Sequence, residues 1–143
     1  MNDCIFCRLI AGDIPASIVY QDELTVAFMD IGQVNPGHVL VASRRHASDL
    51  LALTADEAAA AMRSAHRIAG AVKQAFNPPG MMLLQTNGAA GDQTVFHFHI
   101  HLLPRHESDG VSLAWPKKNP PRTDIDDYAA QLRAALCGGH PTT

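Results

Sequence analysis

Long apolar runs, a basic leader and an even set of cysteines are all missing from this sequence. No stretch approaches the ~20 consecutive apolar residues of a membrane-spanning helix, so no membrane partner is expected. The opening MNDCIFCRLIAGDIP lacks a basic leader, and Asp3 and Asp13 flank its short apolar stretch. No secretory signal is therefore expected, and the chain is placed in the cytoplasm, where thiols stay reduced. Cys4, Cys7 and Cys137 are the only cysteines, and an odd count argues against a disulfide framework. Basic residues are also short: 11 Lys+Arg face 14 Asp+Glu, for a net charge of -3. That balance excludes a general binder of nucleic-acid polymers, which would be basic. Internal repeats and low-complexity tracts are absent.

What is present suits one globular domain. The chain has 143 residues, 47% hydrophobic and 17% charged, enough to build a core. SIVYQDELTVAFMD reads as two short strands, 17–21 and 24–29, around an Asp22-Glu23 turn. Asn35-Pro36-Gly37 is a turn before a third strand, 38–43. Thr54 and Glu57 form a capping box that opens a long Ala-rich helix to Phe76, stopped by Asn77-Pro78-Pro79-Gly80. MMLLQT (81–86) is a fourth strand, 87–93 a glycine-bearing loop, and 94–103 a fifth strand. Residues 104–122 read as loop. Thr123 and Asp126 suggest a second capping box for a helix to about Leu136, ended by Gly138-Gly139. The fold class is α+β: a five-stranded, mainly antiparallel sheet, one long helix and a C-terminal helix.

The densest chemical signal is VFHFHIHLLPR at 95–105. Strand residues two apart face the same way, so His97, His99 and His101 share one face. Phe96, Phe98, Ile100 and Leu102 share the other and belong to the core. At ~3.3 Å per residue, the Cα atoms of His97 and His101 lie ~13 Å apart, too far for both rings to hold one ion. The three imidazoles therefore divide between jobs. Metal binding and acid, base or nucleophile work on an anionic substrate both remain open at this point. Near the start, Cys4 and Cys7 have Cys-x2-Cys spacing, half of a structural zinc site, and no second cysteine pair completes it.

His97-Phe98-His99-Ile100-His101-Leu102-Leu103 resembles the motif of the histidine triad (HIT) family, in which three histidines alternate with apolar residues. GDQTVF, CIFCRLIAGDIPAS, AFMDIGQVNPGHVLVASRRH and LLQTNG extend the likeness over roughly 3–105, leaving 106–143 as a C-terminal loop and helix of the same domain. The likeness is to the small dimeric nucleotide-binding branch. It implies a homodimer, with the long helix and fifth strand near its interface. It also implies an enzyme that cleaves a nucleoside 5′-monophosphate, purine by analogy, from an amine or another leaving group.

Carried onto this chain, the resemblance makes His99 the nucleophile that forms a nucleotidyl-histidine. His101, Asn87, Gln93, Thr94 and the 87–93 backbone would donate to the phosphoryl oxygens. His38 would support the triad. Thr94 stands where the family usually has serine, so it keeps the hydroxyl and adds a methyl. Asp92 stands where glycine is common. Asp30 would accept from the ribose hydroxyls, and Ile5, Phe6, Leu9, Phe28, Ile31 and Leu40 would form the base slot. Trp115 matches a C-terminal tryptophan that reaches the partner's site in related dimers. His46 and His97 would complete a Cys2His2 site for structural Zn2+ with Cys4 and Cys7.

Rival readings are a dinucleoside polyphosphate hydrolase, a nucleotide-binding module with little turnover, and a metallohydrolase that uses the histidines as ligands. His66, His106 and His140 read as ordinary exposed residues and Cys137 as inert. Arg44-Arg45 and Lys117-Lys118 read as solvated charges.

Overall fold

The computed structural model describes residues 3–139, so His140 lies outside the described residues. It divides into two units, one through Asp109 and one from Gly110. The first contains α1 (Ile5–Ala11), β1 (Ile18–Gln21), β2 (Thr25–Met29), β3 (Val39–Ser43), α2 (Ala55–Phe76), β4 (Gly80–Leu84) and β5 (His99–Arg105). The second contains α3 (Arg122–Gly138). Among the described residues, no helix is long and apolar enough to cross a membrane.

The five strands form one sheet in the order β1-β2-β3-β5-β4, antiparallel throughout. At the β1–β2 turn, Asp22 Oδ1 accepts from the Leu24 and Thr25 N–H groups at 3.0 and 2.8 Å. This gives the short Asp-Glu turn a physical cause, because the carboxylate substitutes for a ladder partner. The central strand β3 is buried on both faces. Val39 and Val41 pack with Ala61, Ala65, Ile68 and Val72 of α2, joined by Phe98, Ile100 and Leu102. Leu40 and Ala42 turn the other way and pack with Phe6, Val26 and Phe28. Register carries this two-sidedness into β5: His99 lies opposite Ala42 and His101 opposite Leu40. Both histidines therefore share the α1 side of the sheet, while Ile100 and Leu102 face α2.

The long helix begins as the capping box requires. Thr54 Oγ1 accepts from Glu57 N–H at 3.2 Å, and Glu57 Oε2 accepts from Thr54 N–H at 2.8 Å. Arg45 adds a fork to the same carboxylate, with two donors each 2.7 Å from its oxygens. The Arg45 hydrogen bonds, followed by those from Thr54, outweigh burial and hold the Glu57 carboxyl at about 2. A carboxylate depressed on folding stabilises the fold above its unfolded value, and that contribution is lost as pH falls toward 2. Glu57→Gln is therefore expected to lower stability at pH 7 by about 1.5–3 kcal/mol, the usual worth of charge-assisted hydrogen bonds. It should also flatten the acid limb below about pH 4.5. Urea midpoints measured from pH 7 to pH 2 check both, and parallel acid limbs for the two proteins would refute the assignment.

Several expected boundaries change. The fifth strand starts at His99 rather than Thr94, because the chain at 95–98 leaves the ladder. Phe98 N–H donates instead to the Ala47 carbonyl at 2.7 Å. Phe96, expected in the core, is consequently 52% exposed, and His97 is fully buried. The strand also continues through Pro104 and Arg105, expected as loop. Proline is tolerated there because the pairing with β3 ends at Leu102 and only β4 accompanies it further.

The expected capping box at Thr123 does not form. Pro121 is the N-cap of α3 without a side-chain cap bond, and Asp126 is drawn to Arg122 Nε at 3.0 Å instead of reaching back. The short helix α1 is an element that apolar periodicity did not announce.

Candidate functional site

His99 is placed by β5 with its ring edge against Phe6, the centroids 5.1 Å apart. Its Nδ1 lies 2.6 Å from the His97 carbonyl oxygen. A carbonyl can only accept, so Nδ1 carries the proton and Nε2 keeps the lone pair. Burial pushes the His99 imidazole below its ordinary value, against smaller raising effects of that carbonyl and of Asp30. The ring is thus neutral at pH 7, with its Nε2 lone pair unprotonated.

A second chain of contacts sets His101. His38 Nε2 lies 3.0 Å from His101 Nδ1 and 3.5 Å from Asp30 Oδ2. His38 Nδ1 is buried without a hydrogen-bond partner. The Asp30 carboxylate can only accept, so His38 carries its proton on Nε2, the nitrogen facing Asp30 and His101, and donates to His101. His101 then accepts on Nδ1 and holds its own proton on Nε2. Burial first, then His99 and His38, push its imidazole down to about 4. A neutral His101 therefore still offers a donor, and no imidazolium is needed. Asp30, His38 and His101 could also be read as a three-ligand metal group. The His38 and His101 ring nitrogens lie 3.0 Å apart, a hydrogen-bond distance.

Both histidines open on one pocket of about 350 Å³. Its walls include Ile5, Phe6, Leu9, Phe28, Ile31 and Leu40, together with Asp30, Thr94, His99 and His101. Ile14, Pro15, Ala16, Met29 and Val95 complete it, and the sequence reading assigned none of them a role. Ile14, Pro15 and Ala16 lie inside one of the blocks that carried the resemblance, the only signal that pointed to them.

The structure does not bring every expected residue to this wall. Asn87 lies outside it: Oδ1 accepts from Leu50 N–H and Gln85 Nε2, each at 2.8 Å. Gln93 is buried beneath the loop, donating to Ser48 O at 2.6 Å and accepting from Gly88 N–H at 2.7 Å. Asp92 adopts φ +66°, which explains why glycine suits the position. Trp115 is exposed and belongs to the second unit.

Beside the pocket, Cys4, Cys7, His46 and His97 each offer one ligand atom, all within 4.8 Å of one another. The N-cap position of α1 places Cys4, and Cys7 follows three residues later on the same side. Cys4 Sγ is 3.4 Å and Cys7 Sγ 3.6 Å from His97 Nδ1, and Cys7 Sγ is 3.3 Å from His46 Nδ1. A tetrahedral zinc ion with ordinary bond lengths has S···N edges of ~3.5 Å, so the donor set fits. The fit extends outward: His97 Nε2 donates to the Ser43 carbonyl at 2.7 Å, which leaves Nδ1 as the lone pair facing both thiols. Burial and the neighbouring Cys4 push the Cys7 thiol up, a cost that a bound cation would reverse. The Ser43 carbonyl is a contributor that sequence reasoning missed, since any residue type offers one.

A family model described as HIT domain matches residues 11–108. This chain belongs to the HIT family. An adenosine 5′-monophosphoramidase of Schizosaccharomyces pombe is 33% identical over 114 residues, 79% of this chain and 83% of that one. The crystal structure of a HIT family protein from Bacillus anthracis superposes with a TM-score of 0.89 at 41% identity, covering 94% of this chain and 97% of that one. A Zn-bound histidine triad family protein from Mycobacterium smegmatis has a TM-score of 0.73 at 32% identity, covering 94% and 98%. The sheet order and helices described above are thus those of a HIT fold.

Proposed function

We propose that this HIT protein cleaves a nucleoside 5′-monophosphate from a leaving group by two displacements at phosphorus, with an amine as the favoured leaving group. One observation carries the reading: the His97 carbonyl holds the Nδ1 proton of His99, which leaves Nε2 as a bare nucleophile on an apolar pocket that also contains Asp30. The activity named for the S. pombe relative supports the leaving-group class.

In the first displacement, His99 Nε2 forms a bond to the α-phosphorus and the P–N bond breaks. The departing nitrogen keeps the electron pair and takes a proton from solvent. In the second, water attacks the same phosphorus and releases a proton to solvent, and the P–Nε2 pair returns to His99. His101 Nε2–H donates to a phosphoryl oxygen as charge develops, and His38 holds His101 in that tautomer. Thr94 offers a hydroxyl at the pocket edge. Asp30 would receive the ribose hydroxyls, and the apolar wall would take the base, purine by family analogy.

Cys4, Cys7, His46 and His97 would hold Zn2+. When bound, the ion supplies a cross-link between α1 and the sheet. Homodimerisation is part of the same reading.

The deciding experiment is a parallel assay on adenosine 5′-phosphoramidate, a diadenosine polyphosphate and adenosine 5′-phosphosulfate, with intact mass measured on rapidly quenched protein. The expected result is fastest turnover of the phosphoramidate, together with an adenylyl adduct on His99. Preferred cleavage of the polyphosphate would favour the neighbouring HIT activity. Tight binding of adenosine 5′-monophosphate with no turnover of any substrate would reduce the protein to a binding module.

A further inference from the structure

The metal-site residues also shape the pocket, through two independent routes. The first is α1, whose residues alternate between the two sites. Cys4 and Cys7 turn to His46 and His97, whereas Ile5, Phe6 and Leu9 line the pocket. Phe6 is the only buried residue of this helix. Its ring makes edge contacts with His97 at 5.8 Å, His99 at 5.1 Å and Phe28 at 5.2 Å between centroids. Phe6, Leu9 and Ile10 seat the helix on the sheet, and the two thiols tie its start to His46 and His97.

The second route is His97. Its carbonyl holds His99 Nδ1–H at 2.6 Å, yet His97 precedes the first ladder residue of β5. Phe98, one position on, is bracketed by Ala47 and Ser43 through bonds of 2.7 and 3.3 Å. The His97–Phe98 peptide is thus anchored at its N–H by Ala47, and the His97 imidazole adds a second anchor, held by the Ser43 carbonyl on one side and by the thiols on the other.

We infer that zinc occupancy of the Cys4–Cys7–His46–His97 site is thermodynamically linked to nucleotide binding, each ligand strengthening the other by fixing α1 and the His97 peptide. The inference rests on the reading of the pocket as a nucleoside monophosphate site. Linkage is reciprocal, so a single factor must appear in both affinities.

The test uses the full chain, zinc-loaded and chelator-stripped, with circular dichroism confirming that both are folded. Adenosine 5′-monophosphate is titrated into each by calorimetry. Zinc affinity is then measured with and without saturating nucleotide, in a metal-ion buffer that fixes free zinc. Removing zinc is expected to raise the nucleotide Kd about tenfold, inside the ~5–150-fold range of ordinary allosteric couplings, and nucleotide should tighten zinc by the same factor. Equal nucleotide affinity in the two forms overturns the linkage and leaves the nucleotide reading standing. No binding to the zinc-loaded form overturns both. Should the stripped chain unfold, His46→Asn weakens the metal site from outside α1 and residues 97–101. Nucleotide affinity in that variant must then track zinc occupancy, and a constant affinity across zinc concentrations refutes the inference.

Discussion

His99→Ala is expected to lower kcat/KM by at least ~10³-fold, equivalent to ~4 kcal/mol of barrier, while leaving fold and zinc content intact. The magnitude follows from its role. In the proposed mechanism the ring supplies the electron pair that forms the covalent intermediate, and among the described residues no other side chain offers a free nitrogen in the same place. His101 cannot replace it, because its Nδ1 is engaged with His38 and its Nε2 carries the proton. Zinc content should hold because the four ligand atoms belong to other residues and His97 keeps its own bond to the Ser43 carbonyl. Nucleotide binding should persist as well, since the apolar wall and Asp30 are untouched. Pre-steady-state quench with mass analysis separates the alternatives, as the adenylyl adduct must vanish along with turnover. Near-normal turnover in the variant would remove the nucleophile assignment and the double displacement with it.

Cys4→Ala should act in the opposite order, on stability first. Losing one thiolate opens the donor set and unties the start of α1 from His97. Structural zinc in small domains supplies folding free energy directly, and losing a metal is among the few single changes that cost more than ~4 kcal/mol. A loss of about 4 kcal/mol in a chain of this size lowers Tm by ~10–20 °C. Chelation of the unaltered protein should give a similar shift, whereas Cys137→Ala should give none, because that cysteine is exposed and far from the cluster in sequence. Thermal melts with metal analysis of the same samples are sufficient. A stripped protein that melts at the temperature of the loaded one would rule out a structural zinc site.

Much of this site was readable in advance where a local rule governs. His99 and His101 share a face because strand residues alternate, and the apolar partners Ile100 and Leu102 leave only one register that buries them. The start of α2 was readable for the same reason: Thr54 and Glu57 satisfy each other across one helical turn, whatever surrounds them. Cys-x2-Cys announced a metal half-site, since both thiols must sit on one side of a short turn. The base-slot residues were different. Ile5, Phe6, Leu9, Phe28, Ile31 and Leu40 look like ordinary core by composition, and only the family resemblance proposed them as a wall.

Where local rules competed with distant partners, the distant partners won. Alternation assigned Phe96 to the core and His97 to the same face as His99. His97 does stay on the α1 side with His99, in contact with Phe6 and the thiols, but the chain leaves the ladder before His99 and Phe96 turns out. Thr123 and Asp126 had the spacing of a capping box, but Arg122 takes the carboxylate. Asn87 and Gln93 are engaged by Leu50 and Ser48, residues about forty positions away. By itself, then, the sequence determined the face of β5 that His99 and His101 share and where α2 starts, because alternation and capping act within a few residues. The tertiary structure alone decided the tautomers: His97 O sets His99, and Asp30, beside His38 Nε2, sets His38 and through it His101. A proton's place on an imidazole depends on which acceptor the fold brings within about 3 Å, and no spacing along the chain encodes that.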